Sequence, residues 1–141
     1  MAAPYTDDAW IEGEGEGDDA GLKVRCRAKL PAPAARKGWD HLVLIGWTYE
    51  EDAVGQALKD IVKDIATFEA AMAKALAAPD TGVLAAVIAG AGMREWRYYT
   101  PSTDSFMDAL NEALEELPDY PLEFMDYEDP DWNALAELIE D

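Results

Sequence analysis

Cysteine and histidine occur once each in the 141 residues, and bases are scarce: eleven Lys and Arg stand against thirty Asp and Glu, a formal net charge of −19 at pH 7. A lone Cys26 cannot close an internal disulfide, so the fold must rest on its core, and a reducing compartment is expected. The opening stretch Met-Ala-Ala-Pro-Tyr-Thr-Asp-Asp lacks the basic and apolar regions of a signal peptide, which adds to the expectation of a cytoplasmic protein. Long hydrophobic runs are missing. The longest, around Thr81 to Gly92, is rich in Ala and Gly and falls short of the roughly 20 residues a bilayer requires, so no membrane partner is expected. Also absent are a Gly-x-Ser-x-Gly elbow, a P-loop, a dinucleotide fingerprint and zinc-ligand spacing.

His41 and Cys26 are the only imidazole and thiol available for nucleophilic chemistry, and on regular strands such a pair is read as packing. The acids Asp126, Glu128, Asp129 and Asp131 lack the glycine-bearing twelve-residue pattern of a calcium loop; Asp129 reads as a helix cap and Asp131 as a favourable first-turn charge. No catalytic, cofactor-binding or metal-ligating residue is therefore assigned.

Half of the chain is apolar, enough for a sizeable core in one domain of this length. The charge is unevenly spread. Residues 1–21 hold seven acids and no base, residues 102–141 fourteen acids and no base, and residues 22–38 six bases and no acid. So acidic a chain repels phosphate backbones, so no nucleic-acid partner is expected; a protein partner with a basic surface fits the charge, as does plain solubility, and a homo-oligomer is compatible with it.

Leu22 to Leu30 alternates without fault, with Val24, Cys26 and Ala28 inward and Lys23, Arg25, Arg27 and Lys29 outward, the pattern of a half-buried strand. Trp10 to Glu16 alternates too, and Gly17-Asp-Asp-Ala-Gly21 supplies turn chemistry, predicting a hairpin that sets Glu12 opposite Arg27, Glu14 opposite Arg25 and Glu16 opposite Lys23. Residues 30–38, with prolines at 31 and 33, read as a connection. Trp39 to Tyr49, apolar on both faces around Leu42–Ile45, suits a covered central strand. Leu58, Ile61, Val62, Ile65, Phe68, Met72 and Leu76 form the stripe of an amphipathic helix over about 53–76. Val83–Ala89 and Met93–Thr100 flank Gly90-Ala-Gly92, a tight hairpin. Ser102 or Thr103 caps a second helix whose stripe is Phe106, Leu110, Leu114 and Leu117. Residues 121–128 alternate as a strand with Leu122 and Phe124 toward the core. Asp129 as N-cap and Pro130 at N1 open a final short helix bearing Trp132, Leu135, Ala136 and Ile139.

The order is a β-hairpin, then β-α-β-β-α-β, then a helix. The expected fold is α+β and ferredoxin-like (split βαβ): an antiparallel sheet with two helices on one face, an N-terminal hairpin extension over 8–38, a core over 39–128 and a terminal helix over 129–141 in one domain. The strand "MREWRYYTP" places Arg94, Trp96, Tyr98 and Thr100 on one face and Met93, Glu95, Arg97 and Tyr99 on the other. An open sheet face carrying Trp96, Tyr98 and Arg94 would be a protein-contact surface; the competing reading is that the N-terminal segment or the last helix, through Trp132, covers it.

The segments "WDHLVLIGW", "REWRYYTP", "PDYPLEF" and "EDPDW" together resemble a bacterial family catalogued as domain of unknown function 695, over most of residues 8–139. Its most specific parts are the aromatic strand at 96–99 and the Glu128-Asp-Pro-Asp-Trp132 ending. The resemblance implies the same fold and a bacterial cytoplasmic setting, and carries no activity and no catalytic residues. Members can stand beside a domain similar to the regulator of ribonuclease E activity, a small acidic protein that works by binding, which implies a binding role by analogy. The expectation is thus a non-enzymatic protein-binding or regulatory module with an acidic surface. The alternative is a small-molecule-binding protein or enzyme with a pocket between sheet and helices around His41.

Overall fold

The computed structural model describes residues 9–14, 23–49, 59–76, 81–90, 92–115, 117, 120 and 122–140. Their elements, in order, are β1 (Trp10–Glu14), β2 (Lys23–Arg27), α1 (Pro33–Arg36), β3 (His41–Thr48), α2 (Lys59–Ala75), β4 (Val83–Gly90), β5 (Met93–Thr100), α3 (Thr103–Leu114), β6 (Leu122–Glu128) and α4 (Asn133–Glu140). The fold is α+β. Six strands form one sheet in the order β1-β2-β4-β5-β3-β6, and each neighbouring pair is antiparallel.

Helices cover both faces. On one, Ile65, Phe68 and Met72 of α2 and Phe106 and Leu110 of α3 pack on Val43, Ile45, Trp47, Val87, Trp96 and Tyr98. On the other, Trp132 and Leu135 at the head of α4 pack on Cys26, Leu42, Ala85, Ala86 and Tyr99, with Trp39 alongside. This two-sided burial explains why Leu42–Ile45 reads as a continuous apolar run rather than an alternating one. In the first core Phe68 lies 4.8 Å from Trp96 between ring centroids, and Trp47 meets Phe68 edge-on at 5.9 Å and 78°. Such contacts add about 0.5–1.5 kcal/mol per pair to what burial supplies.

Several boundaries follow their local chemistry. Ser102, in extended conformation, caps α3 by accepting from the Ser105 N–H at 3.2 Å. Gly90 and Gly92 take φ of 136° and 78°, values that close the β4–β5 hairpin and that a residue with a Cβ rarely adopts. The predicted helix stripe is buried at Ile65, Phe68 and Met72, while Val62 is 54% exposed. The start of that helix before residue 59, the turn at 17–21 and Glu16 lie outside the described residues.

Other expectations need correction. The β1–β2 hairpin forms two residues out of the predicted register: Glu12 faces Arg25, Glu14 faces Lys23, and Arg27 faces Trp10. A two-residue slip keeps every side chain on its face and still sets Glu12 and Glu14 opposite bases, so alternation alone does not separate the two registers. The stretch 30–38, expected to be a plain connection, holds α1 with proline in its first turn, where the missing N–H costs nothing. Residue Ala85 is an extra residue in β4, where Leu84 pairs with Tyr98 and Ala86 with Arg97; the bulge lets Leu84 and Val87 both serve the α2–α3 core. Phe124, expected inward, is 43% exposed. Finally, α4 begins at Asn133 rather than directly after Asp129, because Trp132 takes a left-handed φ of 58° that no helix can include.

Candidate functional site

Two of the three residues singled out as a contact surface are buried. Trp96 and Tyr98 are 0% and 2% exposed, sealed beneath α2 and α3. The Trp96 indole Nε1 donates to Glu69 Oε2 at 3.0 Å, and Arg94 Nη2 donates to that same oxygen at 3.0 Å. Burial, then the charge of Glu69, pushes the Tyr98 hydroxyl well above its ordinary pKa. Only Arg94 of the three reaches the surface, with 29% of its side chain exposed. The opposite face of this strand is closed as well: Tyr99 stacks on Trp132 at 3.8 Å and 5°, so the covering role foreseen for the last helix applies to that face instead.

His41 and Cys26 are not brought together. Strands β2 and β3 are separated by β4 and β5, about 14 Å at the usual strand spacing. Cys26 belongs to the α4 core, whereas His41 pairs with Thr100 on the face of Tyr98. Burial raises the thiol pKa, which makes Cys26 a packing residue rather than a nucleophile. Asp129 is committed to structure: its carboxylate accepts from the Tyr99 hydroxyl at 2.6 Å and from the Asn133 and Ala134 N–H groups at 2.9 and 3.1 Å.

Among the described residues two surface features stand out. The first is β6, at one edge of the described sheet, where Phe124, Met125 and Tyr127 are 43%, 49% and 51% exposed. Glu123, Asp126 and Glu128 are interleaved with them and are exposed too. The second is a cleft of about 540 Å³ on the α2–α3 face, beside α2 and over the strands that α2 leaves uncovered. Leu84, Val87 and Ala89 of β4 form its floor; Lys23, Arg25 and Glu12 stand on one side, Arg94 and Glu69 on the other. His41 does not line it.

Among the described residues lining the cleft three cations stand against two carboxylates, in a chain of net −19. The pairs are unequal. Arg94 is tied to Glu69, but the Arg25 Nε–Glu12 Oε1 separation is 3.9 Å, with the side chains 48% and 79% exposed. Beside the cleft, the Arg25 and Arg27 guanidiniums each lie 4.3 Å from the centroid of the Trp10 ring. The basic stripe of β2 was legible as a stripe. What sequence reasoning missed is that β2 pairs with β4 and so faces Arg94 across three small or aliphatic side chains, a long-range placement that no local pattern encodes.

The family model for a family of unknown function, DUF695, matches residues 10–138. The chain belongs to the DUF695 family. No curated protein and no solved structure matches it. In this DUF695 chain the two segments that carry the family resemblance most specifically meet in space. Tyr99, from the aromatic strand, stacks on Trp132 and bonds Asp129, from the Glu128-Asp-Pro-Asp-Trp132 ending. Those residues dock α4; in the DUF695 chain they are architectural.

Proposed function

We propose that this chain is a protein-binding module that takes an extended, basic and partly apolar segment of a partner along the free edge of β6. The observation that carries the reading is a seven-residue edge strand with three large apolar side chains and three acids all exposed. An edge strand offers unpaired backbone groups for an added strand, and its side chains set the choice of partner. A second copy of β6 would bring two strands of three acids each side by side, so the charge favours a partner that brings Lys or Arg. The absence of a thiol–imidazole pair supports a binding role over nucleophilic catalysis. The lone buried Cys26 supports a reducing, cytoplasmic setting. Strand order β4-β5-β3-β6, with α2 and α3 packed on one face, supports a ferredoxin-like core over β3 to β6.

The test is an alternating Lys–Val peptide titrated into isotopically labelled protein. It is expected to protect β6 amides from exchange and to keep doing so near molar salt, with loss of protection in a Met125→Lys, Tyr127→Lys variant. Perturbation confined to other strands, or protection that vanishes with salt, would sink the proposal.

A further inference from the structure

The basic cleft stands apart from the β6 edge and needs its own account. Three features of it point to a ligand. First, its floor is apolar and small, Leu84, Val87 and Ala89, so a body of modest size can lie against β4 without meeting a large side chain. Second, its cations come from two strands that flank that floor, Lys23 and Arg25 from β2 and Arg94 from β5, so an anionic head placed over β4 is reached from both sides. Third, Arg94 is held in place and incompletely used. Glu69 anchors one terminal nitrogen, Nη2, at 3.0 Å, while 29% of the side chain stays exposed. A fixed guanidinium with a spare donor is prepared for a second oxygen anion, because the side-chain entropy of placing it is already spent.

On the other side Arg25 is more loosely held. Its contact with Glu12 at 3.9 Å is too long for a hydrogen bond and both partners are largely in solvent. The Trp10 ring, with Arg25 and Arg27 each 4.3 Å from its centroid, lets two like charges sit close together on one face of the hairpin. The volume of about 540 Å³ is that of a small-molecule site.

We infer that this cleft binds a small organic anion, a carboxylate or phosphate monoester with an apolar body, its head between Arg25, Lys23 and Arg94 and its body on the β4 floor. Nothing in this inference depends on β6. Octyl phosphate, octanoate, inorganic phosphate and the uncharged octyl glucoside are the probes, each titrated into labelled protein while the Arg Nε–Hε and β4 amide resonances are followed.

The expected result is a saturable shift of the Arg94 Nε–Hε signal and of the Val87 and Ala89 amides with octyl phosphate or octanoate. Inorganic phosphate should bind more weakly and octyl glucoside not at all. Lys23→Gln with Arg25→Gln, both at exposed positions, should weaken the best probe by about tenfold or more while leaving the urea midpoint nearly unchanged. Arg94→Lys keeps the charge but loses the forked donors and should weaken it similarly. The inference is overturned if neither charged amphiphile shifts these signals saturably. It is also overturned if octyl glucoside does the same, or if the Lys23–Arg25 double variant binds as the wild type does.

Discussion

Asp129→Ala removes a carboxylate that satisfies three donors at once. The Tyr99 hydroxyl donates to it at 2.6 Å, and the Asn133 and Ala134 N–H groups at the start of α4 donate at 2.9 and 3.1 Å. Loss of the cap costs about 0.5–2 kcal/mol. Tyr99 is 0% exposed, so its hydroxyl has no route to water, and stranding it costs about 1–3 kcal/mol more. The expected loss is about 2–4 kcal/mol, or roughly 10 °C in melting temperature for a chain of this size. Tyr99→Phe keeps the Trp132 stack and leaves Asp129 its two backbone donors, so it should cost about 1 kcal/mol. Because the stranded hydroxyl is absent from the double variant, the two losses should not add; the double should be milder than their sum by about 1–2 kcal/mol. Urea unfolding of the wild type, both singles and the double, followed by circular dichroism, closes this cycle. Additivity to within about 0.5 kcal/mol would falsify the claim that the carboxylate acts through the Tyr99 hydroxyl.

Gly82→Ala should destabilise the fold by about 1–3 kcal/mol in urea, since its Cβ would sit 2.8 Å from Phe106 Cδ2 and 3.3 Å from Leu76 Cδ2; a neutral outcome would mean that the Phe106 ring moves aside freely. Stability should also fall at alkaline pH. Burial, then the Asp129 hydrogen bond, raises the Tyr99 pKa, and burial, then Glu69, raises that of Tyr98, both from an ordinary value of 10.0. Below pH 10 their contribution is complete; above it the unfolded chain loses protons that the native state keeps, and stability drops by up to about 1.4 kcal/mol per pH unit for each tyrosine. Urea midpoints at about pH 9 and about pH 11 check this, and equal midpoints after allowance for the Cys26 thiol would contradict it.

Much of the fold was legible because its signals are local. The β2 alternation, the glycines at 90 and 92 and the Ser102 cap each act within a few residues of themselves, and each is where the pattern put it. The central strand was legible from an apolar run that only two-sided burial explains. The face on which the helices lie was not, because Trp96 and Tyr99 are equally fit for either core; what decides is the side on which α2 returns to the sheet. The β1–β2 register slipped by two because cross-strand charge pairing is periodic. The late start of α4 turns on one backbone angle at Trp132, set by its stack on Tyr99 and its indole bond to the Trp39 carbonyl at 2.9 Å. Of the candidate sites, the acidic edge was visible as composition and the basic stripe as alternation. Neither revealed its neighbours, which come from strand pairings between distant parts of the chain.

The sheet divides four buried indoles into two pairs, Trp47 and Trp96 under α2 and α3, Trp39 and Trp132 under α4. Each layer therefore carries its own chromophores, with a single thickness of backbone between them. Departure of α4 alone would wet one pair and leave the other dry, so emission wavelength distinguishes a molecule that has shed its lid from one that has come apart.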